Sequence, residues 1–416
     1  MASSHGFETA PHEYCPFMPV FAPPRVMFER GSGTELWDVE GRRYLDFLSG
    51  IAVVSLGHAN AVVAKAVSEQ MNRLLHVSNF FANPVATTAA ADIDALLAEV
   101  TGHQGQVFLC NSGAEANEAA IKLARKFGGR GRHTVISAYG SFHGRTLATL
   151  AATGQPAKHE PFQPMPEGFR HVAYGDLAAL EAAIDQSVAA VLLESIQGEG
   201  GVVEAGSEYL SAVRRLCDEA GILMMVDEVQ TGLARTGRWF GFESDLRDTV
   251  TPDVVTSSRV TPDVVTMAKA LGNGFPVGAC WAKREIAAVF RPGDHVSTYS
   301  GTAIAGAAIS AVIAEMRRID APRLAREQGA YTANVLSSIP GVEAVRGQGL
   351  LLAVELGPLR NAKAVNDELL ARGMIANAVT ASALRIAPPL TVTRDEVDEF
   401  SATLWSVLAD GIGVGS

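Results

Sequence analysis

The sequence predicts an α/β protein in which a large, mostly parallel sheet is covered by helices and a smaller α+β part follows. Short uninterrupted apolar runs at 188–193, 222–226 and 264–268 are typical of strands buried on both faces of a parallel sheet. Ala-rich stretches that predict covering helices, such as 207–220, alternate with these runs. Near the C-terminus a long helical stretch at 302–318 is followed by short strand-like runs, so we expect the smaller part there.

The composition is that of a large globular protein. With 416 residues the chain can bury a core and form two domains or subdomains. A net charge of −11 without any run of Lys or Arg argues against a nucleic-acid partner. The four cysteines have no CxxC spacing and the ten histidines have no HExxH pairing, which predicts reduced thiols in a cytoplasmic protein and no metal site. Because no apolar stretch approaches the ~20 residues of a membrane span, we expect no membrane partner.

The apolar run at 107–110 ends in a small-residue turn that opens a helix. Ser112 and Glu115 have the spacing of a capping box, and a Gly-Gly pair at 128–129 ends the helix. The N–H groups at such a helix start form an anion site, and Gly113 allows a phosphate to approach closely. The same segment also fits an ordinary capped helix. Without a Walker Lys or a GxGxxG pattern it does not indicate a nucleotide.

Two charged residues close apolar runs downstream. Asp227 ends the second run and Lys269 ends the third. This pair suits pyridoxal phosphate, because the amine bonds to the cofactor aldehyde and the carboxylate keeps the pyridine nitrogen protonated. A single Asp or Lys at a strand end more often begins a solvent-exposed loop. The pair gains weight because the helix that begins at Ser112 supplies a phosphate site. Glu228 points to the opposite face of a strand from Asp227, so Asp227 is the candidate.

These segments fall at one edge of the predicted sheet. The ligand of an open α/β sheet lies beyond the carboxyl ends of its strands. The segments 111–113, 194–200 and 227–230, together with Lys269, all follow predicted strands. We therefore expect four loops to converge on one site.

A ten-residue repeat leads into Lys269. Residues 250–259 and 260–269 are identical at seven of ten positions. Two copies are too few for a solenoid, so we expect the first copy to be an extruded surface loop. The first copy has Arg259 at the position of Lys269 in the second copy. A guanidinium has no accessible neutral amine that could bond to the cofactor aldehyde. Lys269 therefore remains the candidate anchor.

Seven groups of motifs, in this order, give the chain a resemblance to the class III (ω-amino acid) aminotransferases of the fold type I pyridoxal phosphate enzymes. The resemblance extends from about Arg25 to the C-terminus. The motifs are Leu36-Trp37-Asp38 with Tyr44-Leu45-Asp46-Phe47, Asn111-Ser112-Gly113-Ala114-Glu115-Ala116, Phe142-His143-Gly144-Arg145-Thr146, Gln197-Gly198-Glu199-Gly200-Gly201, Asp227-Glu228-Val229-Gln230-Thr231-Gly232, Lys269-Ala270-Leu271-Gly272-Asn273-Gly274 and Leu384-Arg385-Ile386-Ala387-Pro388.

The resemblance implies roles for individual residues. It implies a cofactor site made of Ser112, Gly113 and Ala114 at the phosphate, Phe142 on the pyridine ring, Asp227 at the ring nitrogen, Gln230 at the ring hydroxyl and Lys269 at the aldehyde. It places Thr298 at the phosphate of a partner subunit, which implies a homodimer with shared active sites. For the substrates it implies that Arg385 binds an α-carboxylate and that Arg145 binds a distal one. Glu199 is then the acid that pairs with Arg385, and it joins Lys269 and Asp227 as a catalytic group.

The implied reaction moves the terminal amine of N2-acetylornithine to 2-oxoglutarate and gives N-acetylglutamate 5-semialdehyde and glutamate, a step of arginine biosynthesis. Three alternatives stay open. The donor is another ω-amine, such as ornithine, 4-aminobutyrate or N-succinylornithine; the enzyme is an aminomutase or epimerase; or the chain is a non-catalytic relative. The expected domains are an N-terminal arm with part of the small domain over 1–55, a large pyridoxal phosphate-binding domain over 56–310 and a C-terminal small domain over 311–416.

The chain departs from the family pattern in two places besides the repeat. Ser195 takes the position of a usual Pro. Residues 299–305 replace a Phe-Gly-Gly-Asn-Pro-Leu-Ala-like segment beside the partner's site. We expect these departures to affect specificity or the contact between subunits.

Overall fold

The computed structural model describes residues 17–206, 208–245 and 260–413, so Cys15 and the first repeat copy lie outside the described residues. Its strands are β1 (Phe28–Ser32), β2 (Glu35–Asp38), β3 (Arg43–Asp46), β4 (Gly105–Cys110), β5 (Thr134–Ala138), β6 (Phe169–Val172), β7 (Val188–Glu194), β8 (Ile196–Gln197), β9 (Val203–Glu204), β10 (Leu223–Asp227), β11 (Val264–Met267), β12 (Gly278–Lys283), β13 (Ala344–Gln348), β14 (Leu351–Glu355), β15 (Met374–Ile375), β16 (Asn377–Ala378) and β17 (Ala383–Ile386). Its helices are α1 (Ser49–Ala52), α2 (Ala61–Met71), α3 (Pro84–Thr101), α4 (Gly113–Gly128), α5 (Leu147–Ala152), α6 (Leu177–Ala183), α7 (Tyr209–Ala220), α8 (Arg284–Ala287), α9 (Ala303–Arg318), α10 (Ala321–Ser337), α11 (Ala362–Ala371) and α12 (Arg394–Ala409).

The central sheet has seven strands within the described residues, in the order β4-β12-β11-β10-β7-β5-β6. β10 is parallel to β7 and β11, and β5 is parallel to β6 and β7. β12 runs antiparallel to its neighbours β4 and β11. Every residue of β7 and β10 is buried, which is why their sequences are continuous apolar runs rather than alternating ones. The predicted α/β fold with a mostly parallel sheet is therefore confirmed.

Helices cover this sheet through small side chains. α4 packs against β7, β11 and β12, and α7 packs against β10. The buried face of α4 includes Ala116, Ala120 and Ala124, which recur every four residues and so lie on one side of the helix. Small residues at these positions let the helix start close to the ends of the strands.

Segments from both ends of the chain form a smaller unit. β13, β14, β17 and β16 form an antiparallel sheet that packs against α10 and α11. β3, near the N-terminus, pairs in parallel with β15, and the Phe47 and Phe400 rings stack with centroids 4.2 Å apart. The N-terminal segment and the C-terminal part therefore share a core. The domain boundaries at 55/56 and 310/311 stay a prediction.

Most local predictions agree with the structure. β2 and β3 form a hairpin around Gly41, whose φ of 81° is in the left-handed region. α9 begins after Thr302, whose side chain accepts a hydrogen bond from the Ala305 N–H. Helices α10, α11 and α12 were not predicted from the sequence, although the Thr393–Glu396 capping box of α12 is a signal for a helix start.

Two kinds of feature are absent from the described part of the chain. No helix there combines the length and the apolar character needed to cross a membrane. Within the same residues, no three or more His, Cys, Asp or Glu side chains are grouped so that they could hold a metal ion.

Candidate active site

The loops after β4, β7, β10 and β11 meet around a cavity of about 430 Å³. They contribute to its lining Asn111, Ser112, Gly113, Ala114, Glu194, Glu199, Asp227, Val229, Gln230 and Lys269. Phe142 and Arg145 line it from the loop after β5. The predicted convergence of four loops is confirmed, and this fifth loop joins them.

The N-terminus of α4 opens into the cavity. The Ser112 hydroxyl accepts a hydrogen bond from the Glu115 N–H at 3.2 Å, so the predicted N-cap is confirmed. The predicted capping box is wrong in its second half, because the Glu115 carboxylate accepts from the Asn111 N–H at 2.5 Å and not from Ser112. The first N–H groups of a helix have no partner inside it, so those of Gly113 and Ala114 can bind an anion.

Asp227, at the end of β10, is held by buried polar groups. Its Oδ2 accepts from Asn117 Nδ2 at 2.7 Å and lies 2.8 Å from His143 Nδ1. Asn117 is fixed in turn, because its Oδ1 accepts from the Thr266 hydroxyl at 2.7 Å. The Asp227 Oδ1 accepts from the Val229 N–H at 3.1 Å. The carboxylate therefore has one defined orientation at the edge of the cavity.

Sequence reasoning assigned no role to Asn117 or His143. Both are almost fully buried, and His143 Nε2 has no hydrogen-bond partner in the described structure. The sequence contained one indication of a role for Asn117, because it is a polar residue on the Ala-rich buried face of α4. Its partners were not readable, since they come from other strands and loops.

Glu228 points away from the cavity, as strand alternation predicted. Its carboxylate accepts from the Thr231 hydroxyl and from the N–H groups of Gly241 and Phe242, at 2.7 to 2.9 Å. The Ser195 hydroxyl also donates to it. Ser195 therefore supplies a donor that the usual Pro side chain lacks. Glu228 anchors the loops behind the site, and Asp227 faces the cavity.

Lys269 follows β11 and reaches into the cavity in a strained backbone conformation. Its φ of 46° is left-handed, which a non-glycine residue adopts at a cost. Burial, and then repulsion from Arg385, lowers the pKa of its amine to about 8. No hydrogen bond to this amine is present among the described residues. The neutral amine, which is the form that acts as a nucleophile or base, is therefore far more populated near neutral pH than in an ordinary lysine.

Arg385 forms an ion pair with Glu199, which lines the cavity. Arg385 lies in β17 with a fully buried side chain, and Glu199 lies in the loop after β8. Burial would raise the pKa of Glu199, but the charge and hydrogen bonds of Arg385 outweigh it and the pKa is lowered. Arg385 also donates to Asn377 Oδ1 at 3.0 Å and to Gln230 Oε1 at 3.4 Å. Gln230 is thus held between the ion pair and the cavity.

Over residues 19–408 the sequence matches the family described as aminotransferase class III. The chain belongs to this family. The acetylornithine aminotransferase of Gloeobacter violaceus is 46% identical over 404 residues, which cover 94% of this chain and 95% of that protein. The protein of the same name from Caldanaerobacter subterraneus subsp. tengcongensis is 42% identical, with 92% and 95% covered.

Solved aminotransferase structures share the fold of this chain. The ornithine aminotransferase from Toxoplasma gondii ME49 aligns with a TM-score of 0.85 at 30% identity and covers 95% of this chain and 92% of its own. The N-acetylornithine aminotransferase from Stenotrophomonas maltophilia K279a aligns with a TM-score of 0.78 at 33% identity, with 94% and 97% covered. The expected fold type I architecture is therefore confirmed.

The aminotransferase depends on pyridoxal phosphate, as its family does. A Toxoplasma gondii ornithine aminotransferase structure records partial occupancy of this cofactor at the active site. The residues here fit the group, because the cavity combines an amine of lowered pKa, a buried carboxylate and an open helix N-terminus. A Cβ on Gly113 would lie 2.8 Å from the Val229 side chain, so Gly lets α4 start close to the loop after β10.

Two predicted site residues of this aminotransferase do not line the cavity in the described structure: Arg385 lies behind Glu199 and Gln230, and Thr298 lies elsewhere. The Thr298 side chain is exposed, in the loop between α8 and α9. The neighbouring Val296 and Ser300 line a second cavity of about 510 Å³. This position fits the expectation that Thr298 serves a different subunit, and that role stays a prediction.

Proposed function

We propose that this aminotransferase moves the terminal amine of N2-acetylornithine to 2-oxoglutarate, giving N-acetylglutamate 5-semialdehyde and glutamate, in a cytoplasmic step of arginine biosynthesis. The observation that supports the proposal is the ion pair between buried Arg385 and Glu199, which lines the cavity together with Lys269. Because an ω-amine has a methylene where 2-oxoglutarate has a carboxylate, an acid that can leave Arg385 suits both substrates. The relatives named acetylornithine aminotransferase support the choice of donor.

Bound pyridoxal phosphate supplies an aldehyde that takes up the amine and a ring that withdraws electrons. Lys269 Nζ anchors the cofactor and then moves the proton at the reacting carbon, which its lowered pKa favours. Asp227 holds a proton on the ring nitrogen through its opposite charge. Phe142 covers the ring, Gln230 binds its hydroxyl, and residues 112–114 bind the phosphate.

Three charged residues handle the two substrates in turn. Arg385 binds the α-carboxylate of 2-oxoglutarate with two parallel hydrogen bonds, and Glu199 then moves aside. With the ω-amine bound, a buried unpaired Arg385 is costly, so Glu199 pairs with it again. Arg145 is exposed at the mouth of the cavity and binds the distal carboxylate that both substrates carry.

We also propose that the enzyme is a homodimer with shared active sites. Several large apolar side chains near Thr298 are exposed, including Phe80, Phe81, Val296 and Tyr299. Phe81 and Val296 line the second cavity. An exposed apolar patch of this kind is typical of a protein–protein interface, and a second copy that covers it places Thr298 beside the partner's phosphate site.

A donor panel tests the reaction. Purified enzyme with cofactor and 2-oxoglutarate is offered N-acetylornithine, N-succinylornithine, ornithine and 4-aminobutyrate, and glutamate formation is measured. We expect the highest kcat/KM with N-acetylornithine. Lys269→Ala abolishes turnover with every donor and also the labelling of the chain by cofactor and borohydride. Lys122→Ala is the matched control, because the Lys122 amine donates to the Asp294 carbonyl and does not line the cavity.

Each other outcome selects a different function. Preference for another donor reassigns the substrate within the family. Isomerisation of a donor without glutamate identifies an aminomutase or epimerase. A folded protein that turns over none of the donors is a non-catalytic relative, and borohydride labelling at Lys122 refutes the assignment of Lys269.

A further inference from the structure

Two cations, Arg145 and Lys158, lie over the ring of Phe142, and Phe142 and Arg145 line the cavity. The guanidinium carbon of Arg145 lies 5.5 Å from the centre of the Phe142 ring, and Lys158 Nζ lies 5.3 Å from it. Lys158 comes from the short 3-10 turn Pro156–Lys158, which follows α5. In the part of the chain that the structure describes, neither cation forms an ion pair. The aromatic ring is therefore their shared neighbour.

The surroundings of Lys158 leave its charge uncompensated. Its side chain is half-buried, and burial followed by repulsion from Arg145 lowers the pKa of its amine. Glu199 attracts Lys158, but Glu199 is already paired with Arg385. A partly desolvated cation is thus held beside a second cation. An anionic group on a ligand would relieve this repulsion.

We propose that Lys158 is a substrate-binding residue which, together with Arg145, forms a two-cation subsite that selects amine donors with an anionic distal end. The inference rests on the proposed function. The distal end of N-acetylornithine has an α-carboxylate beside an uncharged acylated nitrogen, so its net charge is negative. Ornithine has an ammonium beside the same carboxylate, and both cations repel that ammonium. Lys158 therefore sets the preference for an acylated donor over ornithine.

The test compares kcat/KM for N-acetylornithine and ornithine in four proteins. These are the wild type, Lys158→Gln, Lys158→Arg and a matched control, Lys65→Gln, which alters an exposed lysine of α2 that pairs with Glu69. In Lys158→Gln we expect the ratio of the two values to fall about tenfold, mainly through a higher KM for N-acetylornithine. Lys158→Arg keeps the positive charge and should preserve the ratio, as should Lys65→Gln.

A binding measurement separates this role from catalysis. Glutarate carries the two carboxylates of 2-oxoglutarate without a reactive carbonyl, so its dissociation constant reports binding alone. Calorimetry at low salt should show several-fold weaker glutarate binding in Lys158→Gln than in the wild type. The difference should shrink at about 1 M salt, where charges are screened beyond ~3 Å.

The two proposals fail in different ways. An unchanged donor ratio and an unchanged glutarate affinity in Lys158→Gln refute the role of Lys158 and leave the proposed function intact. A wild type that forms no glutamate from N-acetylornithine refutes the proposed function instead. Glutarate binding then still decides whether Lys158 and Arg145 form an anion subsite.

Discussion

At the scale of single residues, Arg385 faces the α-carboxylate of 2-oxoglutarate in one proposed half-reaction and a methylene of the ω-amine donor in the other. Glu199→Ala removes the acid that compensates Arg385 when the methylene is present. We expect the half-reaction with N-acetylornithine to slow by about 100-fold, because an unpaired buried charge costs several kcal/mol. The half-reaction with glutamate should be spared or improved. Arg385→Ala should mainly damage the half-reaction with 2-oxoglutarate.

Single-turnover absorbance spectra of each half-reaction measure these effects separately. Asn377→Ala provides a control, since Asn377 also bonds Arg385 but carries no charge. Equal losses in both half-reactions for Glu199→Ala would remove the switching acid from the mechanism.

Glu194 gives the site a pH-dependent stability. It is fully buried at the end of β7, beside Asp227 at the end of β10, and burial raises its pKa to about 7. Between its unfolded value of about 4.3 and 7, the folded protein keeps a proton that the unfolded chain releases, so stability falls as pH rises through this window. Glu194→Gln removes this titration. We expect its melting temperature to match the wild type at pH 4.5 and to exceed it by about 2–4 °C at pH 8.

Thermal unfolding across this pH range checks the prediction. Glu204→Gln is the control, because Glu204 is an exposed acid of β9. Parallel curves for wild type and Glu194→Gln would show that Glu194 is ionised throughout.

At the scale of elements, the N-terminus of α4 has both a structural and a binding role. Ser112→Ala removes the N-cap and should cost about 1 kcal/mol of stability. Asn60→Ala removes the N-cap of α2, whose side chain accepts from the Val62 and Val63 N–H groups, and should cost a similar amount. Only Ser112→Ala should also weaken cofactor binding, because only α4 opens into the cavity.

Melting curves and the dissociation constant of pyridoxal phosphate check the two effects. Equal cofactor affinity in Ser112→Ala and Asn60→Ala would restrict Ser112 to a purely structural role. Gly113→Ala should weaken cofactor binding further, since its Cβ would push against Val229.

The repeat is also an element-scale feature. The second copy contains β11 and runs directly into Lys269. Deletion of residues 250–259 should therefore preserve activity and melting temperature, because a loop twice as long costs only about 0.6 kcal/mol more to close. Collapse of folding on deletion would show that the first copy is needed for the sheet.

At the scale of the whole molecule, the apolar patch around Phe81 predicts the assembly. Phe81→Asp should shift sedimentation from dimer to monomer, since a carboxylate is costly to bury. Trp405→Asp is the matched control, because Trp405 is an exposed aromatic of α12. Thr298→Ala should keep the dimer and weaken cofactor binding. Cofactor binding unaffected by both Phe81→Asp and Thr298→Ala would refute shared sites.

The sequence by itself determined the type of the elements that surround the site and the residue types that its chemistry needs. Apolar runs predicted β7, β10 and β11, and the Ser112 cap predicted α4, because these signals depend on neighbouring residues only. The strand-end positions of Asp227 and Lys269 followed from the same runs. Strand alternation separated Asp227 from Glu228, since successive side chains point to opposite faces.

Only the tertiary structure decided which distant groups meet. Asn117 and Asp227, which no sequence signal connected, are 110 residues apart in the chain. Glu199 and Arg385 are 186 residues apart, and their pairing was expected only from the family resemblance. Lys158 reaches Phe142 from a separate turn, so its contact with the Arg145 region had no sequence signal. These contacts depend on the order of the strands in the sheet and on how the C-terminal part packs against it. Residue types and their spacing determine local preferences for helix, strand and turn. Which distant side chains come into contact is determined by the packing of the whole core.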